Sequence, residues 1–449
     1  EDLKKYLDTY TDNFEKEVFI PKDEYLFFDL EEFDKDMNTA FSIKYDIARY
    51  IGEKYGMNGG GHRDAAGFAC LDLNSGKYLS EDEQRMVVSS RIVKALDTIK
   101  YLLKNNAKII LCSHLGRPKG EFKEEFSLKP VRDELERLLN VKVILAKDVV
   151  GEDAKQKAQN LKDGEILLLE NVRFEKGETK NDEELARKFA GLAEIFVNDA
   201  FGTAHRAHAS TEGVTKYLPA YAGYLIEKEI EFLSNAINDP ERPLLAILGG
   251  AKVSDKLLVI DSLLEKVDSL IICGAMAYTF FYSMGLNVGT SLCEKDMAEA
   301  AQKIMKKAVD KNVKILLPVD VVVSDKFEAT EEEAKVVPYD KIPEDLGGFD
   351  IGPKTAEIFG EEIRKAKTVI WNGPAGAFEN PTFMNGTAAI ARIIADTDCI
   401  SIIGGGDSAA AIVKLGLEDK FSHISTGGGA SLEFLEGKDL PGVVALLDK

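Results

Sequence analysis

The sequence predicts an α/β protein: two doubly wound parallel-sheet (Rossmann-like) domains joined by a hinge helix, preceded by a small α+β N-terminal segment. Three observations predict it. From Arg91 onward, short apolar runs of strand length alternate with polar stretches of helical period, the order that gives a parallel sheet covered by helices. In the second half nearly every apolar run ends in glycine at its carboxyl edge, where doubly wound sheets bring ligands against the backbone. Between the two series lies one long amphipathic stretch, AGYLIEKEIEFLSNAI.

The elements follow in chain order. Residues 1–85 are acidic and mixed, no strand leads into a helix there, and they read as a separate piece. Their most distinctive run is MNGGGHRDAAGF, Met57 to Phe68, which looks like a phosphate-handling loop. Residues 86–221 form the first domain. RIVKALDTIKYLLK places Ile92, Leu96, Ile99 and Leu103 on one helical face. AKIILCSH, KVILAKDV, EILLLENV and EIFVNDAF follow as strands. Residues 222–237 are the hinge helix. Residues 238–430 form the second domain, with strands in PLLAILGG, SLIICGA, KILLPVDVVV, KTVIWNGP, CISIIGGGD and SHISTGGG.

Composition narrows the function. The 449 residues are 45% hydrophobic and 30% charged, as in an ordinary globular protein. A formal net charge of −20 repels nucleic acid and anionic membrane, so neither is expected as a partner. No apolar run approaches the ~18 residues of a membrane span, and the charged N-terminus EDLKKYLDTY is no signal peptide. Five scattered cysteines, at 70, 112, 273, 293 and 399, suggest neither a disulfide framework nor a metal site, and a reducing cytoplasm is expected. Without an exposed apolar repeat, a monomer is expected.

The candidate chemistry lies in the loops after strands. SHLGRPKG brings His114, Arg117 and Lys119 around Gly116; ENVRFEKGE adds Arg173; NDAFGTAHRAHAS adds His205, Arg206 and His208. With Arg91 at the start of its helix, four arginines and His114 converge on one anion site, and arginine suits bidentate phosphate and carboxylate recognition. Any one such loop is as easily a solvated surface; basic loops after successive strands are not. His205 and His208 lack a third ligand for zinc.

The second domain carries phosphate-binding backbone instead. LGGAKVSDK ends a strand in two glycines, with Lys252 and Lys256 four apart on one helical face. No Walker loop occurs anywhere. In IIGGGDSAAA, Gly404, Gly406 and Ala409 fit G-x-G-x-x-A, but no acidic residue follows at the next strand's end. Asp407 there reads as a ligand for a metal carried by phosphates, and helix N-termini bind phosphate without side chains. In WNGPAGAFE, Glu379 is placed to take a ribose hydroxyl, although a solvated loop carboxylate is the plainer reading. Together these describe phosphoryl transfer between an acidic metabolite and a nucleotide, driven by positioning and charge neutralisation, with domain closure excluding water.

SHLGRPKG, LLLENVRFEKGE, VNDAFGTAHRAHAS, LGGAKVSDK, FDIGPKT, WNGPAGAFE, IIGGGDSA and STGGGASLEFLEGKDLPGV closely resemble the phosphoglycerate kinase family, in its order, from about residue 85 to the end. The resemblance implies reversible phosphoryl transfer between 1,3-bisphosphoglycerate and ADP, giving 3-phosphoglycerate and ATP, with Mg2+, in glycolysis. It implies Arg91, His114, Arg117, Arg173 and Arg206 as 3-phosphoglycerate ligands, with Arg91 and Lys252 stabilising the phosphoryl group in flight. It gives the nucleotide to Gly250, Ala251, Lys252, Lys256, Gly274, Asn372, Glu379, Gly405, Gly406, Asp407 and Ser408, with Asp407 on the metal; Ser408 stands where the family usually has threonine. It also implies that residues 431–449 return to the first domain.

One departure is expected to matter. The family opens with a central strand carrying Arg-Val-Asp-Phe-Asn, whose Asp and Asn contact substrate; LFFDLEEFDKDMN (Leu26–Asn38) has the wrong spacing. A first domain lacking that strand is the expectation, with Glu24–Leu30 as a candidate to fill the slot. Instead, Gly59, Gly60, Gly61, His62, Ala65, Ala66 and Gly67 resemble the C-terminal substrate-binding domain of DHH-family phosphoesterases, without its catalytic aspartates. The alternative to an active kinase is a non-catalytic nucleotide-binding protein of the same descent.

Overall fold

The computed structural model describes residues 25–29, 71–72, 77–78 and 81–446, with side chains from Ile92 onward. Three strands come first: β1 (Tyr25–Asp29), β2 (Leu71–Asp72) and β3 (Lys77–Tyr78). The long helix α1 (Glu81–Lys104) then leads into β4 (Lys108–Cys112), α2 (Lys129–Leu139), β5 (Val143–Leu145), α3 (Glu152–Gln159), β6 (Ile166–Leu168), α4 (Glu183–Ala190), β7 (Ile195–Asn198) and β8 (Ala220–Ala222). The first sheet has the order β5-β6-β4-β1-β7-β8, with every pair parallel.

The central slot is therefore filled, and by the candidate segment. Tyr25–Asp29 pairs along its whole length with β4 and from Leu26 onward with β7, placing Asp29 level with Cys112 and Asn198. The expected gap does not occur: an empty slot would leave the facing ladders of β4 and β7 without hydrogen-bond partners. The Gly59–Gly67 run lies outside the described residues.

Alternation of side chains in β4 serves two helical layers. Ile109 and Leu111 face α1 and α2, against Ile92, Leu96, Ile99, Val131 and Leu135. Ile110 and Cys112 face the other side, with Ala154, Ala158 and Phe189.

The next helix, α5, spans Tyr224–Asn238. Asp199, fully buried beyond β7, caps it from a distance: its carboxylate accepts the N–H groups of Leu225 and Ile226 at 2.8 and 3.1 Å and the Thr98 hydroxyl of α1 at 2.7 Å. The N-cap is Gly223, where a Cβ would overlap the Asp199 carboxylate. Further along, buried Glu229 accepts from Thr426 N–H and Oγ1, both at 2.6 Å, and meets His423 Nε2 at 2.7 Å. Phe232 stacks on the His423 ring. One helix is thus pinned to both halves.

The second half runs β9 (Leu244–Leu248), α6 (Leu257–Leu263), β10 (Ser269–Ile272), α7 (Met276–Ser283), α8 (Ala298–Asp310), β11 (Lys314–Leu316), β12 (Asp320–Ser324), β13 (Lys335–Pro338), β14 (Gly347–Ile351), α9 (Pro353–Ile363), β15 (Thr368–Asn372), α10 (Asn385–Ala395), β16 (Ile400–Gly404), α11 (Gly406–Leu415), β17 (His423–Ile424), α12 (Gly428–Leu435) and α13 (Pro441–Val444). Its parallel sheet has the order β11-β10-β9-β15-β16-β17. Counted along this half, that is the 3-2-1-4-5-6 order of a doubly wound nucleotide-binding sheet, whose switch point lies between β9 and β15.

One expectation fails here. KILLPVDVVV is not a single strand: Pro318, which lacks an N–H, ends β11, and β12 belongs to a separate antiparallel sheet, β13-β12-β14. Near the end of the chain, Gly442 N–H donates to Ala204 O at 2.8 Å and Asn198 Nδ2 to Gly442 O at 3.1 Å. Among the described residues no helix is long and apolar enough to cross a membrane.

Burial pushes the Asp199 carboxyl up to about 7, against about 3.9 in an unfolded chain. Between these values the folded state holds a proton the unfolded state has lost, so this group's contribution to stability falls as pH rises from 4 to 7 and levels off above. Asp199→Asn removes the titration. Denaturant unfolding from pH 4 to 8 should show the stability difference moving in favour of the variant up to pH 7, then holding constant.

Candidate functional site

At the switch point three loops meet backbone to backbone. Gly249 N–H donates to Asn372 O, Gly250 N–H to Pro374 O and Gly274 N–H to Ala375 O, at 3.0–3.1 Å. The approach is too close for side chains: a Cβ on Gly249 would overlap the Pro374 carbonyl. Across from them β16 runs into Gly405, at φ +85°, and then directly into α11. With a glycine N-cap, the first N–H groups of α11 have no side-chain acceptor, leaving them directed at an anion.

The two lysines diverge. They do not share a helical face, because Ser254–Lys256 is a 3-10 turn and α6 starts only at Leu257. Lys256 turns inward, donating to Asn372 O at 2.8 Å and Asn372 Oδ1 at 2.6 Å. The residue keeps some exposed surface, but its ammonium end is enclosed, and loss of hydration lowers its pKa to about 8, against the opposing pull of nearby acidic groups including Asp407. Lys252 is exposed, as is Ala251, and both remain available to a ligand.

Asp407 lies in the first turn of α11. Burial, and secondarily the Glu379 carboxylate, raise its pKa to about 7, while Lys256 pulls it down. Burial raises Glu379 as well. Among the described residues no three His, Cys, Asp or Glu side chains form a metal cage. One carboxylate beside a phosphate-binding backbone fits Mg2+, which keeps few protein ligands and takes the rest from phosphates and water. Ser408 is fully buried, and its hydroxyl accepts Gly373 N–H at 2.7 Å, so it shapes the neighbouring loop.

In the first domain the basic loops follow β4, β6 and β7, around the central β1. Two of them are bolted together: Gly120 N–H donates to Arg173 O at 3.1 Å, and Arg173 Nη1 to Gly116 O at 3.2 Å. Their frame is polar and buried. Glu170 accepts from Ser127 Oγ and from the N–H groups of Leu128 and Asn171, and Asn171 Nδ2 donates to Leu115 O at 2.7 Å and Phe126 O at 3.0 Å. His114 is buried and Arg117 exposed. Arg206 lies on the far side of β1, its Nε 3.1 Å from His205 Nε2. His208 faces Glu178, which also accepts from Ser210, and so belongs to the loop's frame. Arg91 is not at the start of its helix as expected but in the middle of α1, which begins at Glu81; its side chain lies outside the described residues.

Gly249→Ala should destabilise the protein by about 2–3 kcal/mol, because the atom in the way is backbone and cannot rotate aside. Urea unfolding of the variant against the parent measures it.

The phosphoglycerate kinase family model matches residues 69–438. The chain is 56% identical over 383 residues to a phosphoglycerate kinase of Clostridium botulinum, covering 84% of this chain and 94% of that one. It is 59% identical over 363 residues to that of Clostridium perfringens, covering 80% and 91%. The solved structure of phosphoglycerate kinase from Coxiella burnetii superposes with a TM-score of 0.75 at 38% identity, covering 94% of this chain and 96% of that one. That from Pyrococcus horikoshii gives 0.73 at 30%, covering 95% and 97%. The family match begins early enough to include Asp72, Leu73 and Asn74, an Asp-x-Asn of the spacing of the family's opening strand. Sequence reasoning misses it because Cys70 and Leu73 stand where arginine and phenylalanine are sought. Asp72 sits in β2, paired with β3 and not with the first sheet. By family match, identity and fold, the chain belongs to the phosphoglycerate kinase family.

Proposed function

We propose that the chain catalyses reversible phosphoryl transfer between 1,3-bisphosphoglycerate and ADP, giving 3-phosphoglycerate and ATP, as a cytoplasmic monomer. One observation carries the reading: the carboxyl ends of two parallel sheets, joined by one pinned helix, present a basic loop cluster on one side and a glycine-lined phosphate cradle on the other. His114, Arg117, Arg173 and Arg206, with Arg91, hold the acid substrate by charge-assisted hydrogen bonds. Gly250, Ala251, Lys256, Gly274, Asn372, Glu379, Gly405, Gly406 and Ser408 form the nucleotide side. Asp407 would hold Mg2+, which when bound supplies charge neutralisation on the nucleotide phosphates. As the acyl phosphate's P–O bond breaks and a bond forms to the ADP β-phosphate oxygen, Arg91 and Lys252 balance the charge in flight.

The family's aspartate has two candidates here. Asp29 ends the strand in the central slot; Asp72 and Asn74 have the family spacing, and Asp72 lies in β2. Position favours Asp29.

The direct test is steady-state turnover of 3-phosphoglycerate with MgATP, alongside calorimetric titration of each ligand. Turnover is expected; MgADP binding without 3-phosphoglycerate binding would instead establish the non-catalytic alternative. Asp29→Ala should raise the KM for 3-phosphoglycerate at least tenfold, with Asp72→Ala near the parent. The reverse result would transfer the role to Asp72 and Asn74.

The Lys256 ammonium gives a pH signature. Its charge attracts nucleotide phosphates and is lost as pH rises through about 8. Affinity for MgADP should therefore fall above pH 8, by up to tenfold per unit, and Lys256→Met should bind weakly with that fall abolished. Calorimetry between pH 7 and 9.5 decides it.

A further inference from the structure

Asp350, the penultimate residue of β14, has none of the roles assigned above and is 2% exposed. Its Oδ1 accepts Ile351 N–H at 2.8 Å, and its Oδ2 accepts Gly386 N–H, in the first turn of α10, at 2.7 Å. A Cβ on Gly376 or on Gly386 would overlap Asp350 Oδ1, so both backbones lie directly on this carboxyl group. Two further ties hold the same stretch from the same side. Ala377 N–H donates to Phe349 O at 2.7 Å, and the Ala375 and Gly376 N–H groups donate to Thr387 Oγ1 at 3.0 and 3.3 Å.

The opposite face of that stretch belongs to the nucleotide site. Pro374 O and Ala375 O are the acceptors on which Gly250 and Gly274 hang, and Glu379 follows directly. Asp350 lies near the buried Tyr278 hydroxyl, which packs over Gly348, and near the Cys273 thiol; burial raises the pKa of both, and Asp350 adds to it. Burial pushes Asp350 itself up to about 8 against the pull of its two N–H donors. Shape alone does not call for an ionisable group at such a cost; two well-aimed acceptors do.

We propose that Asp350 is a positioning residue for the nucleotide site: it fixes the chain from Pro374 to Glu379, so that Glu379 and the loops of Gly250 and Gly274 meet the nucleotide together. The inference rests on the nucleotide reading above. It sets nucleotide affinity and leaves the acid substrate's site alone.

The test compares Asp350→Asn and Thr387→Val, which remove different ties to one stretch, by KM for ATP, KM for 3-phosphoglycerate, kcat, and the calorimetric Kd for MgADP. Both variants should raise the nucleotide KM and Kd about tenfold, the loss of one or two buried hydrogen bonds. The 3-phosphoglycerate KM and kcat should stay within twofold. In a Glu379→Gln background, Asp350→Asn should add little, because both act through the same contact. The proposal fails if a variant folded at assay temperature keeps its nucleotide KM and Kd, or if both substrates' KM values rise equally, as a general loosening would give. If Asp350→Asn does not fold, Thr387→Val takes the same readout. A parent that binds MgADP but turns nothing over sinks the kinase reading alone, since the Kd ratio still decides this one; a parent that does not bind MgADP overturns both.

Discussion

Everything about the active geometry depends on one helix held at two places by buried carboxylates. Asp199, from the end of a first-domain strand, caps the N-terminus of α5 and reaches Thr98 of α1. Glu229, within α5, holds Thr426 and His423 of the second half. A phosphoryl transfer needs its two anion sites in line to within fractions of an ångström. The two large parallel sheets are separate, one in each half. The register between them is therefore set by how firmly α5, together with the returning chain end at Gly442, is fixed to both, and a buried acceptor with aimed donors is stiffer than an exposed ion pair.

The same device recurs below the level of the domains. Asp320 caps α9 and Asp350 meets the start of α10, each reaching a helix N-terminus from elsewhere in the chain. A carboxylate answers both the orphan N–H groups and the positive end of the helix dipole. Placing the cap in a neighbouring element, not in the helix itself, turns a local need into a tertiary bond. Its cost is hydration, visible in the raised pKa values of Asp199 and Asp350.

An acidic protein that handles anions must confine its positive potential. With a net charge of −20, the long-range field opposes phosphates, and under the proposed function attraction is left to short-range elements: arginines on three loops of the first domain, and N–H groups with Lys252 and Lys256 in the second. Lys256 shows the limit of this economy. Enclosed by the loops it serves, it loses part of its hold on its proton, and its charge depends on pH near neutrality.

The sequence by itself determined the fold class and most of the strand-and-helix order, because those properties are periodic or local. Apolar alternation, a glycine after a strand and a basic cluster are all readable within ten or twenty residues. Two local readings failed for equally physical reasons: Pro318 divides an apolar run between two sheets, and Lys252 and Lys256 part company where a 3-10 turn replaces a helix. Tertiary structure alone decided which segment fills the central slot, since Tyr25–Asp29 is identified by the two facing ladders it completes and not by any motif. It alone decided that Asp199, Glu229 and Asp350 are structural keystones, because each is a lone acid in sequence and acquires its partners from elements far along the chain.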